Sequence, residues 1–138
     1  MTSATTPTSD ARAATIARIM GVGITVAGVM HFANPKFFDA IVPPALPPDQ
    51  RFWTYASGVA ELLIGPLLLV PRWRRAGAIA AIVLFLAVYP ANLYMAWDWR
   101  DRPLGERLLA YGRLPLQFVL IGLALRVART RNTPVARP

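Results

Sequence analysis

Four long apolar runs divide the chain, and charged or proline-rich segments separate them. A helix that rises 1.5 Å per residue needs about 20 apolar residues to cross a hydrocarbon core of about 30 Å, so runs of this length predict transmembrane helices. The third run is the clearest, because it holds 22 consecutive uncharged positions. The predicted spans are residues 13–33, 53–70, 76–97 and 108–127.

The start of the fourth span is the least determined of these boundaries. Only 12 residues separate Arg113 from Arg126, and a helix of that length is too short for a full crossing. Two solutions are open. The two arginines extend their side chains to the membrane interfaces, or the helix begins earlier, near Leu108.

The segments outside the spans differ in character. Residues 1–12 are small, polar and rich in threonine, and predict a disordered tail. Residues 34–51 contain five prolines and cannot form a spanning helix, although their Phe37, Phe38, Ile41 and Val42 indicate a short stretch that dips into the interface. Residues 128–138 form a basic tail. The fold class is therefore all-α, a polytopic four-helix membrane bundle over residues 13–127.

The composition supports a membrane protein and narrows the chemistry. Hydrophobic residues make up 55% of the 138 positions and charged residues 16%, with a mean hydropathy of +0.41. A soluble domain of this size could not cover its surface with so few charges. The chain has no cysteine and one histidine, which excludes iron–sulfur ligation, thiolate metal sites and bis-histidine haem within one chain. No metal site is expected.

The basic residues predict the orientation of the bundle. With four spans, both termini and the turn at 71–75 share one side, which carries nine of the fifteen lysines and arginines, while six lie on the other side. The positive-inside rule then places both termini in the cytoplasm. Trp53, Trp97 and Trp99 fall on the opposite face, as an interfacial aromatic belt does. The net charge of +8 thus reports orientation, and the expected partner is the lipid bilayer rather than nucleic acid.

The few polar residues inside the spans gather at similar depth, in the predicted outer half. Glu61 lies about 12 Å below the outer interface, where an unpaired carboxylate costs several kcal/mol. It should therefore be neutral, paired or in contact with a wet cavity. Polar groups from all four spans at one depth predict a pocket in the outer half of the bundle. The candidate catalytic residues are Glu61 and His31, and the candidate ligand-binding residues are Ser57, Asn92, Arg113 and Gln117.

Each candidate also has a structural interpretation. Glu61 and Arg113 could form a buried ion pair that fixes the order of the helices. Asn92 and Gln117 are side chains that often serve as interhelical hydrogen-bonding groups. His31 could be an interfacial residue near a helix C-terminus, where the helix dipole favours a cation.

Five segments, taken in order, resemble the DoxX-like family of small four-helix membrane proteins. The resemblance implies a four-helix bundle in the bacterial plasma membrane, and the family name comes from a subunit linked to quinone-coupled sulfur oxidation. The matching segments are Gly28–His31–Phe32 with Pro35 and Phe38, then residues 41–47 (IVPPALP), 57–61 (SGVAE), Pro90–Ala91–Asn92 with Met95, and 113–117 (RLPLQ).

Two functions of different class follow as expectations. The first is a small-molecule or quinone-type site in the outer half of the bundle, belonging to an accessory redox subunit or to an enzyme. Since the chain has no cysteine, electrons would come from a redox partner protein or from the bound quinone. The alternative is a structural or assembly protein whose polar cluster only fixes helix packing. A transporter is disfavoured, because the inner halves of the spans are almost wholly apolar and provide no polar path.

Overall fold

The computed structural model describes residues 9–130, and the predictions for residues 1–8 and 131–138 lie outside this range. The described residues fold into five α-helices, without strands. Four helices are long and apolar enough to cross a membrane, so the all-α class and the multi-pass character are confirmed. The helices are α1 (Ser9–Ala33), α2 (Pro35–Asp39), α3 (Gln50–Leu69), α4 (Arg74–Asp98) and α5 (Leu104–Arg129).

The first and last helices extend beyond the spans predicted from hydropathy. Residues 9–12, which the sequence assigned to the disordered tail, form the first turn of α1, where Asp10 suits the positive end of the helix dipole. Helix α5 begins at Leu104, directly after Pro103. Its 26 residues give a length of about 39 Å. Arg113 therefore lies inside the helix, and residues 128 and 129, assigned to the basic tail, belong to its last turn.

Glycines bring α1 and α3 into close antiparallel contact. A Cβ atom added to Gly28 would lie 3.0 Å from the Cβ of Glu61, and one added to Gly58 would lie 2.8 Å from the Cβ of His31. Further along, a Cβ on Gly21 would lie 2.8 Å from the carbonyl oxygen of Gly65. Because small residues let helix backbones approach in lipid, where no hydrophobic effect drives helices together, these glycines set the α1–α3 spacing.

The apolar core occupies the half of the bundle that is remote from α2. Small and large side chains alternate there, with Ala17, Ala81 and Ala124 fully buried beside Leu68 and Phe85. The outward faces of the helices are also apolar, with large exposed side chains. Such faces are expected where lipid surrounds a helix. Typical exposed positions are Leu63, Val83 and Phe118.

The proline-rich segment between α1 and α3 folds back over the bundle at the end where α1 finishes. The segment includes the short helix α2. Ile41, two residues after the end of α2, packs in a second apolar cluster with Met95 and Trp99. Asp49 caps α3 by accepting a hydrogen bond from the backbone N–H of Phe52 at 2.8 Å. The end of the bundle covered by this segment is called the cavity end below, and the opposite end, where α1 begins and α5 finishes, the basic end.

Replacing Gly58 by alanine is expected to destabilise the protein by about 1–3 kcal/mol, because the new methyl group overlaps the Cβ of His31. The matched control is Gly23→Ala, also in a membrane helix, where an added Cβ meets nothing within 4 Å. That change should be neutral or stabilising by up to about 1 kcal/mol. Unfolding of both variants in mild detergent measures the difference, and equal stability would contradict the assigned helix contact.

Candidate functional site

His31 and Glu61 form the centre of the site. His31 stands in the last turn of α1 and Glu61 on the facing side of α3, and the Nδ1 atom of His31 lies 3.0 Å from Oε2 of Glu61. Both side chains are largely buried, with 10% and 17% of their surface exposed. The glycine contacts at Gly28 and Gly58 flank this pair on both helices. The short distance is therefore a direct result of the close α1–α3 packing.

The imidazole of His31 does not provide a full hydrogen bond to the carboxylate of Glu61. Its Nδ1 also lies 2.8 Å from the carbonyl oxygen of Ala27, to which a proton on Nδ1 can be donated. One ring nitrogen carries one proton, so it cannot fully serve both acceptors. The Oε2 atom of Glu61 is accordingly buried without a hydrogen bond in the described part of the chain. A buried carboxyl oxygen in this state can take a proton or a hydrogen bond from a bound molecule.

Asn92, Gln117 and Arg113 form a second group, which joins α4 to α5. Asn92 donates a hydrogen bond to Oε1 of Gln117 at 3.2 Å, and Arg113 donates from Nε to Oδ1 of Asn92 at 3.2 Å. Gln117 in turn donates to the carbonyl oxygen of Phe85. The spacing of Arg113 and Gln117 by four residues places both on the same face of α5.

A cavity of about 70 Å³ joins the two groups at the cavity end. Its volume exceeds what one water molecule requires. The walls combine these polar side chains with aromatic and aliphatic ones, a mixture typical of small-molecule sites. The polar wall residues are His31, Thr54, Ser57, Glu61, Asn92 and Arg113, and Phe38, Trp53 and Val88 are among the apolar ones.

Five of the six candidate residues thus line this one space, and the sixth, Gln117, lies behind Asn92 and holds its side chain. The expected Glu61–Arg113 ion pair is replaced by a different pairing. The close partner of Glu61 is His31, and the hydrogen-bond partner of Arg113 is Asn92. Arg113 remains near enough to Glu61 for their charges to attract.

The segment around α2 contributes residues that the sequence did not single out as site residues. The ring of Phe38 stacks on His31 with a centroid distance of 3.7 Å and an interplanar angle of 23°. Next to it, Asp39 accepts hydrogen bonds from Nε of Arg51 at 2.9 Å and from the hydroxyl of Thr54 at 2.7 Å. Two features of the sequence marked Phe38, the predicted interfacial dip and the DoxX-like segment that includes it. Nothing local marked Asp39, because its partners lie 12 and 15 residues away.

The Asp39 contacts fasten α2 to the start of α3. Gln50 adds hydrogen bonds from its amide to the carbonyl oxygens of Asp39 and Val42, at 2.9 and 2.6 Å. The guanidinium of Arg51, with help from the Thr54 hydroxyl, lowers the pKa of Asp39 below its usual range. The ionised carboxylate therefore helps to hold α2 against the start of α3 at neutral pH.

The described part of the chain holds no cluster of side chains that could bind a metal ion. Within residues 9–130 no group of three or more histidine, aspartate or glutamate side chains could hold an ion. The side chains that line the cavity can transfer protons, form hydrogen bonds and stabilise charge.

Four long apolar helices enclosing a polar cavity at one end define the chain as a multi-pass membrane protein of the helical-bundle class. The family whose model matches residues 20–128 is described as a domain of unknown function, DUF8561, and the chain belongs to this family. No curated protein and no solved structure matches the chain. The family match includes every residue named in the cavity wall.

Asp39→Asn should lower the thermal stability at pH 7, and the difference from the unchanged protein should shrink as the pH falls. A carboxyl whose pKa is lowered in the folded state stabilises fully above its unfolded pKa of about 3.9 and loses that contribution as the pH falls through the folded pKa. Melting curves between pH 7 and 3 measure the effect. Asp101→Asn, at the same end but 85% exposed, is the control, and an equal, pH-independent effect in both variants would contradict the role of Asp39.

Proposed function

We propose that this protein is a DoxX-like membrane protein that binds a small apolar molecule with a carbonyl or hydroxyl head group, of the quinone type, in the cavity. The observation that carries the proposal is the convergence of Glu61, His31, Asn92 and Arg113 on one small space. Burying such groups costs several kcal/mol each unless they are paired. Intramembrane ionisable residues of this kind commonly mark functional sites.

The donors and acceptors of the cavity suit such a head group. Arg113 has five N–H donors, and its Nε donates to Asn92, so its remaining donors are suited to a carbonyl oxygen in the cavity. On the other side of the cavity, Oε2 of Glu61 lacks a donor and can exchange a proton with a hydroxyl or reduced carbonyl. His31, in contact with Glu61, can pass that proton on.

The size and apolar walls of the cavity support a head group rather than a whole ligand. A space of about 70 Å³ is well below the usual 300–1,000 Å³ of sites that enclose a drug-sized molecule. A ring edge with its oxygen would enter, against Phe38 and Trp53, while an apolar tail would remain in lipid. A quinone in this position would supply two-electron redox chemistry. Glu61 and His31 would then exchange its protons, and Arg113 would hold its oxygen.

A redox role would require a partner. The chain has no cysteine, and the groups lining the cavity carry protons rather than electrons. The protein would therefore serve as an accessory subunit that holds a quinone for a redox protein bound at the cavity end, or as an enzyme whose electrons come from its ligand.

The alternative is a structural or assembly protein in which the polar cluster only fixes helix packing. One observation favours it: Asn92 and Gln117 bond to each other and to the backbone of Phe85, as interhelical hydrogen bonds do. The same observation does not account for the buried Oε2 atom of Glu61, which contacts His31 but accepts no hydrogen bond within residues 9–130.

The ligand proposal is tested with the protein purified in mild detergent, by mass spectrometry of co-purifying small molecules and by titration with decylubiquinone. Trp53 in the cavity wall should report binding through quenched fluorescence. Glu61→Gln and Arg113→Gln should each weaken binding by about tenfold or more, because a hydrogen bond to a charged group contributes about 1.5–3 kcal/mol.

Glu106→Gln and Arg102→Gln are the matched controls, since they neutralise an ion pair outside the cavity. Both should bind like the unchanged protein. If the unchanged protein carries and binds nothing, and the cavity variants lose only thermal stability, the site proposal is wrong and the structural alternative stands.

We also propose that the protein lies in the bacterial plasma membrane with both termini in the cytoplasm and the cavity facing outward. The sequence assigns nine lysines and arginines to the side of the termini and six to the other side, and this difference supports the orientation. Since the natural chain has no cysteine, single cysteines can report it. In intact cells, a membrane-impermeant maleimide should label Asp101→Cys and leave Ser9→Cys unlabelled until the cells are opened. The reverse pattern would invert the orientation.

A further inference from the structure

A second cavity lies at the basic end, between the first turns of α1 and the last turn of α5. Its volume is about 370 Å³, and it is separate from the candidate site by most of the length of the bundle. Its lining residues are Ala11, Arg12, Thr15, Ile16 and Arg126. Two arginines from different helices therefore face one space.

Neither arginine is neutralised by the described part of the protein. The salt bridges within residues 9–130 involve other cations. Asp10, the acidic residue of α1, accepts a hydrogen bond from Ser9 at 3.4 Å and makes no salt bridge to Arg12. Arg74, at the start of α4, adds positive charge at the same end of the bundle, and Arg18 lies near enough to Arg74 for their charges to interact. The space thus favours an anion, and paired guanidinium groups match phosphate oxygens in geometry.

The surroundings of the cavity favour an anion that carries an apolar body. Helix α1 packs chiefly on α3 and α5 chiefly on α4, so α1 and α5 touch each other only slightly and leave a groove open to the side. Ile16 lines the cavity, and Ile19, about one turn deeper, is 69% exposed. A head group at the arginines would therefore continue into acyl chains that lie along this apolar groove.

We propose that this second cavity binds the phosphate of an anionic phospholipid, with Arg12 and Arg126 contacting the phosphate oxygens and the acyl chains lying between α1 and α5. Basic pockets between membrane helices hold anionic head groups in this way. A zwitterionic lipid is disfavoured, because its quaternary ammonium group would meet a cluster of arginines. The assignment does not depend on a ligand at the cavity end.

The test measures thermal stability in dodecyl maltoside during titration with dioctanoyl phosphatidylglycerol, with dioctanoyl phosphatidylcholine and with inorganic phosphate. A ligand that binds the folded state raises the melting temperature. Phosphatidylglycerol should stabilise the unchanged protein, whereas phosphatidylcholine and inorganic phosphate should not. The double variant Arg12→Gln/Arg126→Gln should bind phosphatidylglycerol at least about tenfold more weakly.

Arg72→Gln/Arg75→Gln is the matched control, because it removes the same charge from the same end outside the cavity. It should keep the phosphatidylglycerol effect. Equal weakening in both double variants would reduce the effect to general electrostatics, and no weakening in either would exclude the cavity; each result overturns the proposal. Stabilisation by inorganic phosphate alone would identify a free anion and overturn the lipid assignment. If the cavity double variant does not fold, Arg12→Gln and Arg126→Gln are read separately against Arg72→Gln by the same criteria.

Discussion

The close contact of α1 with α3 determines the arrangement of the cavity end. Gly28 and Gly58 have no side chains, and a side chain at either position would push these helices apart. In lipid the gain from such an approach is dispersion and hydrogen bonding rather than the hydrophobic effect, so a few tenths of an ångström matter. With the helices at this distance, His31 reaches Glu61, and Phe38 can stack on His31 from above.

The two ends of the bundle carry different kinds of side chains. At the cavity end, polar side chains from α1, α3, α4 and α5 meet under the α2 segment. In the middle, apolar side chains such as Ala81, Leu84 and Phe85 fill the core of the bundle. At the basic end, Arg12 and Arg126 line a second cavity. The family match covers residues 20–128. It therefore includes the first cavity and Arg126 but leaves out Arg12.

The depth of Glu61 along its span was not enough to predict which side chain it contacts. Counting residues along each span placed Glu61, Asn92, His31 and Arg113 at similar depth, and this grouping agrees with the cavity that the structure describes. Depth does not specify the direction in which a helix face points. The closest contact of Glu61 is consequently with α1, where glycines allow it, and Arg113 is held by Asn92 on the neighbouring helix.

The sequence by itself determined the four apolar helices, because hydropathy and length are local properties that a membrane selects directly. It also predicted polar candidate residues, five of which the structure brings around one cavity, since charged and amide groups are costly in lipid and stand out against an apolar background. The tertiary structure decided the pairings. His31 contacts Glu61, and Asp39 is bonded to Arg51 and Thr54, although these residues are distant in the chain. Arg12 and Arg126, from the two ends of the chain, line one cavity. Such contacts depend on helix rotation, spacing and register, which are fixed only when the side chains pack.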